Sequence, residues 1–521
     1  MRKILLLCVT LLVVAAAISA QGFDDFINQH NVFADDEAPV SDDGFGFGFD
    51  DGGGVRSSAS LSVEISGEAS AEALVFIDEL ESASKMKEIE LGDIFSGRLN
   101  FSAKASNAKA VINLKLSPSR DAASVVAFDE AYICGYFEGL NVEAGLRKLA
   151  WGKADSLGPL DVVNPLDYTD LIDLTSMLDR KIAVPMIHMS YGFGAYSKLE
   201  AVFVPSFTPQ KFAEFGRWTP SQVTTAPGAI KAGASEYIMK TARPALLAAL
   251  GTLNPALIAT LADNTSYTEP PTEWLKYMQA GLRFTTTFRS ADVGVQGYFG
   301  RLPRPAFVLK GLTELWNNFD EDDERFKTNA NDYLTNYLQE NSIAGVFDYN
   351  YFAQLGFDYA QTLWGFNTRA ELALNLTKDL KGDDGEVYNP FIGWSLGFDR
   401  DVAVKGLALF NVNLQVNENV RLFSDKINDN RALDTEAGSN DTSTRITLIA
   451  SRKFFRDKFE ANFTGLWSVE DMDFYLIPGL GWTNENLAVN LYGGFFLGDS
   501  DGELGRYHNN NFVRMTMTYT F

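Results

Sequence analysis

Along much of the chain, apolar and polar residues alternate one for one. The final stretch shows it most plainly. Val513, Met515, Met517, Tyr519 and Phe521 are bulky and apolar, and Arg514, Thr516, Thr518 and Thr520 fill the gaps. A period of two places one set on each face of an extended strand. The same pattern runs through Leu61, Val63 and Ile65, through Leu99, Phe101 and Ala103, and through Ile112, Leu114 and Leu116. It returns at Val142, Ala144 and Leu146, at 182–193, at Leu282, Phe284 and Phe288, and at Val293, Val295 and Phe299. The longest runs come late. Phe366, Thr368, Ala370, Leu372, Leu374 and Leu376 oppose Asn367, Arg369, Glu371 and Asn375, while Phe410, Val412, Leu414 and Val416 oppose Asn411, Asn413, Gln415 and Asn417. Further strands are expected near 445–451, 459–468, 472–482 and 485–497.

Short alternation also occurs in soluble sheets, so the number of such segments and the makeup of the second face decide the reading. That face carries Asn, Glu, Arg and Lys, which suits a watery lumen and not a dry core. Strands with one face in lipid must pair along both edges, and only a closed sheet achieves this in a bilayer. The pattern therefore predicts an all-β fold, a closed antiparallel transmembrane β-barrel of about 16 strands within a range of 14 to 18. Short turns such as Leu380 to Gly385 and longer acidic loops such as Asp425 to Asp441 fit the two unlike rims of a barrel.

Two long inserts interrupt the strands, near 206–276 and 301–346. The uncharged stretch Pro244 to Ala262 has the length of a membrane-spanning helix. Its leucines at 246, 250, 253, 257 and 261 form an amphipathic stripe instead, and Asn254-Pro255 splits it, which predicts a helical hairpin in a large loop. That hairpin either packs over the barrel mouth or folds inward. Tyr333, Leu334, Tyr337 and Leu338 predict a short helix in the second insert.

The N-terminus supplies a compartment. Arg2 and Lys3 precede an apolar run from Ile4 to Ala17, followed by small residues before Gln21, so residues 1–20 read as a secretory signal peptide. Residues 21–57 form an acidic tail rich in Gly and Phe, expected to be a periplasmic linker or, alternatively, a plug entering the barrel. The barrel then occupies 58–521. Of the 2 cysteines only Cys134 survives cleavage, so no internal disulfide is expected. Among the 521 residues, hydrophobic types make up 46%, and the mean hydropathy is just below zero, too low for a bundle of membrane helices. The net charge of −24 becomes −26 once Arg2 and Lys3 are lost, which argues against a nucleic-acid partner. Much of that charge sits in the tail and loops, where it serves solubility.

A strand ending on a C-terminal aromatic, with Tyr519 two residues before Phe521, resembles the barrel-assembly signal of Gram-negative outer-membrane barrels. The resemblance implies an outer-membrane location, contact with outer-membrane lipid and delivery by the barrel-assembly machinery. A second resemblance lies between Glu130 and Tyr168. Here Glu130-Ala131-Tyr132 is followed by a strand, then by Arg147-Lys148-Leu149-Ala150-Trp151-Gly152-Lys153 and Asp161-Val162-Val163-Asn164-Pro165. About 40 residues thus resemble a poorly characterised family of outer-membrane barrels related to alginate-export and porin-type channels. The family implies transport across the outer membrane and leaves the substrate open.

As residues, this stretch reads as a loop folded into the lumen. Trp151 is placed at a strand end, within an aromatic girdle. Gly152 permits a turn and Asn164-Pro165 stiffens it. Arg147, Lys148, Lys153, Asp155, Asp161 and Asp167 supply charges of both signs. Together with Trp151 and Asn164 these are the candidate substrate-pathway residues. The alternative is that their ion pairs only brace the wall.

Other chemistry is thin. His188 and Ser190 share a strand face, like the His-x-Ser pair that points outward in outer-membrane phospholipases, but no third polar group is evident and no enzyme is expected. His30, His188 and His508 are too scattered for zinc, and the acidic loops complete no calcium pattern, so neither metal nor cofactor is expected. The expected function is a porin-like channel passing small molecules through a polar lumen narrowed by an inward loop. Two alternatives stand beside it: a transporter of hydrophobic, lipid-like molecules such as long-chain fatty acids, and a surface adhesin or structural barrel.

Overall fold

The computed structural model describes residues 61–80, 95–117, 126–174 except 156, 177–220, 275–310, 320, 322–329, parts of 332–340, 344–403, 409–427 and 435–521 except 437. The signal-peptide, tail and 244–262 hairpin expectations, with Leu334 and Leu338, lie outside the described residues.

The first strands are β1 (Ser62–Phe76), β2 (Phe95–Ala105), β3 (Ala108–Leu116), β4 (Val126–Phe137) and β5 (Leu140–Arg147). A short β6 (Asp167–Tyr168) precedes β7 (Val184–Phe193) and β8 (Ser197–Val204). After the equally short β9 (Lys211–Phe212) come β10 (Gln279–Phe288), β11 (Ala291–Arg301), β12 (Ala306–Lys310) and β13 (Ala344–Asp348). The remainder are β14 (Tyr351–Leu363), β15 (Phe366–Thr377), β16 (Phe391–Ala403), β17 (Leu409–Arg421) and β18 (Thr442–Phe454). Last come β19 (Phe459–Ser468), β20 (Asp473–Asn484), β21 (Leu487–Leu497) and β22 (Phe512–Thr520).

All but the short pairs β6–β9 and β12–β13 belong to one antiparallel sheet of 18 strands. It closes on itself where β1 meets β22, in register from Glu68 opposite Thr520 to Phe76 opposite Phe512. Phe521 extends that seam by exchanging two backbone hydrogen bonds of 2.9 Å with Gly67. Strand lengths of 8 to 15 residues suit the roughly 9–11 that a tilted strand needs to cross a hydrocarbon layer.

The count of 18 lies at the top of the expected range of 14 to 18, two above its centre, and the reason is physical. β14 and β16 show weak alternation because several of their inward positions are Gly or Ser, as at Gly356, Gly393, Ser395 and Gly397. Those small residues leave room for a loop inside the barrel. A methyl group on Gly356 would come within 2.4 Å of Leu160, and one on Gly393 within 2.8 Å of Pro159. Packing against the loop has removed the polar half of the signal.

The two rims differ. At one, strands join through turns as brief as 106–107, 138–139, 289–290, 364–365 and 485–486. The other carries the connections 148–183, 205–278, 302–350, 378–390 and 422–441, so the expected short turn Leu380 to Gly385 shares a rim with the longer Asp425 to Asp441 loop. The second of the expected inserts holds the antiparallel pair β12–β13 and a helix at Glu324–Thr328, whose N-cap Asp323 accepts a bond from the Arg325 amide. Asp332, Tyr333, Asn336 and Tyr337 are helical, as the aromatic spacing suggests, and the two tyrosine rings stack at 6.0 Å.

The outer face is apolar. Leu282, Val295, Leu355, Leu372 and Leu480 are all more than half exposed there, while their neighbours Arg283, Gln296, Gln354, Glu371 and Gly479 point inward and are buried. Aromatic pairs ring both ends of this face: Phe299–Tyr351 and Trp467–Phe474 towards the loop rim, Phe193–Phe284 and Phe454–Phe459 towards the hairpin rim. Arg301 lies 3.8 Å over the Tyr351 ring, a cation resting on an aromatic at the boundary of the greasy belt.

Candidate functional site

The connection from β5 to β7 does not leave the barrel. It begins at a tight polar anchor on the wall. The Lys148 amide donates to Glu130 Oε1 at 2.9 Å, and Lys148 Nζ meets Asp129 at 2.6 Å. Burial and the neighbouring Lys115 push the Lys148 ammonium below its usual range, and Asp129 opposes them. Glu130 also accepts from Asn113, so the glutamate of the Glu-Ala-Tyr run organises the loop's start. Arg147 pairs with Glu143 and lies 4.7 Å over the Tyr132 ring.

Asn164 ties the loop's two ends together. Its Oδ1 accepts from the Leu149 amide at 2.7 Å, and its Nδ2 donates to the carbonyls of Arg147 and Ile182. Lys181 adds a buried bridge to Asp161 at 2.7 Å and donates to the Leu149 carbonyl. Replacing Asn164 by Ala would leave a buried amide and two carbonyls unpaired, costing about 1–3 kcal/mol for each such group. Faster amide hydrogen exchange at Leu149 in Asn164→Ala, with the barrel strands still protected, is the expected result.

Beyond this clasp the chain crosses to the wall made by β11 and β14 to β17. Trp151 packs against Gly281 and stands edge-on to Tyr298, 4% exposed. This corrects the girdle placement. β5 ends at Arg147, and Trp151 lies inside the lumen because the apolar hollow over Gly281 receives it.

The carboxylate of Glu371 on β15 is the central fixture. It accepts the backbone amides of Lys153, Ala154 at 2.7 Å and Leu160 at 3.3 Å. A methyl group at Gly152 or Gly158 would sit 2.2 or 2.3 Å from its oxygens, and Gly152 adopts φ +105°. Only glycine lets the loop wrap the carboxylate this closely. Alongside, Asp155 pairs with Arg369 and accepts from Asn413, and its amide donates to Gln415 at 2.8 Å. Burial pushes the Asp155 carboxyl above the usual range, and the Arg369 guanidinium pulls the other way. Gln354 and Gln296 donate to the carbonyls of Pro159 and Leu160, both at 2.9 Å.

The chain then turns to another part of the wall. Asp167 caps Thr169, and β6 runs parallel to β9 with Tyr168 stacked on Phe212 at 5.8 Å. Further on, Asp173 meets Arg514 at 2.6 Å and accepts from Tyr492 at 3.0 Å. Tyr475 donates to the Ile172 carbonyl at 2.9 Å, and Leu171, Ile172 and Leu174 join an apolar cluster with Tyr475, Phe496 and Phe512. Residues 148–183 are thus fixed at β5 and β7, at β14 to β17, and at β20 to β22. They form a crossbar across the lumen.

Seven of the eight residues singled out by sequence lie in the crossbar, and Arg147 ends the strand leading into it. Most serve to hold it. Lys153 and Asp167 form no ion pair among the described residues, whereas Arg147, Lys148, Asp155 and Asp161 are paired. The expected watery wall is also modified. Gln354, Gln415 and Glu371 are at most 4% exposed because the crossbar lies over them. Sequence reasoning missed the partners Glu371, Gln354, Gln296 and Arg514. The inward phase of Glu371, Gln296 and Arg514 was legible, that of Gln354 on β14 was not, and the contacts of all four depend on long-range folding.

His188 faces inward, not to lipid. Its Nδ1 meets Glu143 at 2.7 Å and its Nε2 faces Glu200 at 3.3 Å. No group of three or more His, Cys, Asp or Glu suited to a metal occurs among the described residues.

No protein-family model matches the chain, and no curated protein does. Several solved barrels are similar in shape. OmpF of Salmonella typhi in complex with daunomycin shares 8% identity at a TM-score of 0.37, over 88% of this chain and 98% of that one. The outer-membrane channel DcaP of Acinetobacter baumannii shares 9% at 0.37, over 90% and 99%. Wzi of Escherichia coli, a carbohydrate-binding β-barrel involved in capsule assembly, shares 10% at 0.41, over 87% and 84%. These similarities are too slight to assign a function, and the barrel assignment rests on the strand register itself.

Proposed function

We propose that the chain is an outer-membrane channel for small polar solutes, narrowed from within by the 148–183 crossbar. A closed sheet with an apolar exterior and two aromatic rings is stable in lipid. The hairpin rim, which carries both ends of the sheet, would face the periplasm, and the long connections would face outward. Phe521, at the last rung of the closing seam, is then available to the assembly machinery. The resemblance of 130–168 to alginate-export and porin-type channels agrees with this reading.

The observation that carries it is the anchoring of one connection on separate parts of the inner wall. A merely structural barrel has no need to place a segment across its own lumen. Such a segment sets the size and charge of what passes.

Planar-bilayer recording and liposome swelling test the proposal. The refolded chain is expected to give discrete conductance steps and to admit small sugars more slowly than an open barrel of 18 strands. A folded barrel that neither conducts nor swells liposomes would overturn it.

A further inference from the structure

The far end of the crossbar sets a paired carboxylate beside a cluster of aromatic rings. Asp173 places a carboxylate on Arg514, with Tyr492 donating to it, while Leu171, Ile172 and Leu174 lie against aromatic rings. The rings are large and close: Tyr475 and Phe496 stack at 4.1 Å, and Phe512 is fully buried beside them. A polar carboxylate head and a short apolar body therefore share one stretch of chain.

We infer that this is a binding site for an unbranched amphiphilic carboxylate, and that Leu171 to Leu174 occupies it as an internal stand-in. Charge complementarity selects the ligand. Arg514 is held between Glu72 at 2.5 Å and Asp173 at 2.6 Å. Exchanging Asp173 for a ligand carboxylate leaves that balance unchanged, so the swap carries little electrostatic cost. The Asp173 side chain is 48% exposed and belongs to the loop, whereas Glu72 is 16% exposed and belongs to β1. Asp173 is therefore the carboxylate that yields. The alkyl chain would replace the leucines against Tyr475, Phe496 and Phe512, burying apolar surface in their place.

Entry of the ligand would free the crossbar at this end while Glu371 still holds its middle. The site thus adds an effector to the proposed channel. Its binding test does not depend on conduction, and its failure is distinguishable from failure of the channel reading.

Calorimetric titration of the full folded chain with dodecanoate and with dodecanol is the experiment, on wild type, Asp173→Asn and Arg514→Gln. Dodecanoate should bind wild type, and bind Asp173→Asn roughly tenfold tighter, a factor worth about 1.4 kcal/mol. Dodecanol, matched in chain length, should bind wild type at least about tenfold more weakly. Arg514→Gln, checked for folding by its far-UV spectrum, should lose the preference for the acid. Equal binding of the acid and the alcohol, or no gain in Asp173→Asn, overturns the inference. The Asp173 variant decides it even if Arg514→Gln does not fold.

Discussion

Glu371→Ala is expected to open the lumen without unfolding the barrel. Its carboxylate takes three amides from the crossbar, and it pairs with no cation among the described residues. Removing it leaves buried N–H groups unpaired at about 1–3 kcal/mol each. Even a total near 3 kcal/mol shifts the latched-to-free ratio on the order of a hundredfold. Single-channel conductance should rise and fluctuate, while the folded band resists heating in detergent as before. Gly158→Val should behave alike, because its side chain would occupy the space of the carboxylate. Unaltered conductance in both variants would show that the crossbar is held by its remaining anchors alone.

The second large effect comes from the adjacent residue. Leu372 follows Glu371 on β15 and points the opposite way, 51% exposed on the outer face. If that face lies in lipid, Leu372→Arg costs about 2–4 kcal/mol near the middle of the bilayer. Folded yield in vesicles should fall by at least about tenfold, and a denaturant midpoint should move with it. The residual folded fraction should conduct as wild type does. Normal folding with altered conductance would reverse the assigned faces. Two neighbouring positions thus separate stability from transport, one on each side of a single strand.

Each part of the Glu130 to Tyr168 stretch has a structural task. Glu130 holds the Lys148 amide, Asn164 clasps the loop's ends, and Gly152 wraps the wall carboxylate. These are the parts needed to start, close and seat a connection inside a barrel. Arg147 and Lys148 are spent on wall contacts with Glu143 and Asp129, so they offer no free charge to a passing solute. Lys153 is the crossbar cation with no ion pair among the described residues.

The chain's local pattern determined the barrel. Alternation in β1, β15, β17 and β22 follows from side chains pointing to opposite faces of a strand, and that rule operates residue by residue. Asn, Gln and Glu at every second position announced an interior that is not a dry core. The tertiary structure decided what that interior holds. β14 and β16 were faint in sequence because Gly356 and Gly393 answer to Leu160 and Pro159, which lie far away along the chain. Trp151 left the expected girdle for the same reason, drawn to a hollow over Gly281 that exists only once β10 and β11 are paired. Which carboxylate receives the loop, and which arginine receives Asp173, depends on closure of the sheet. Periodicity records which way a side chain points, and only the closed barrel fixes what it meets.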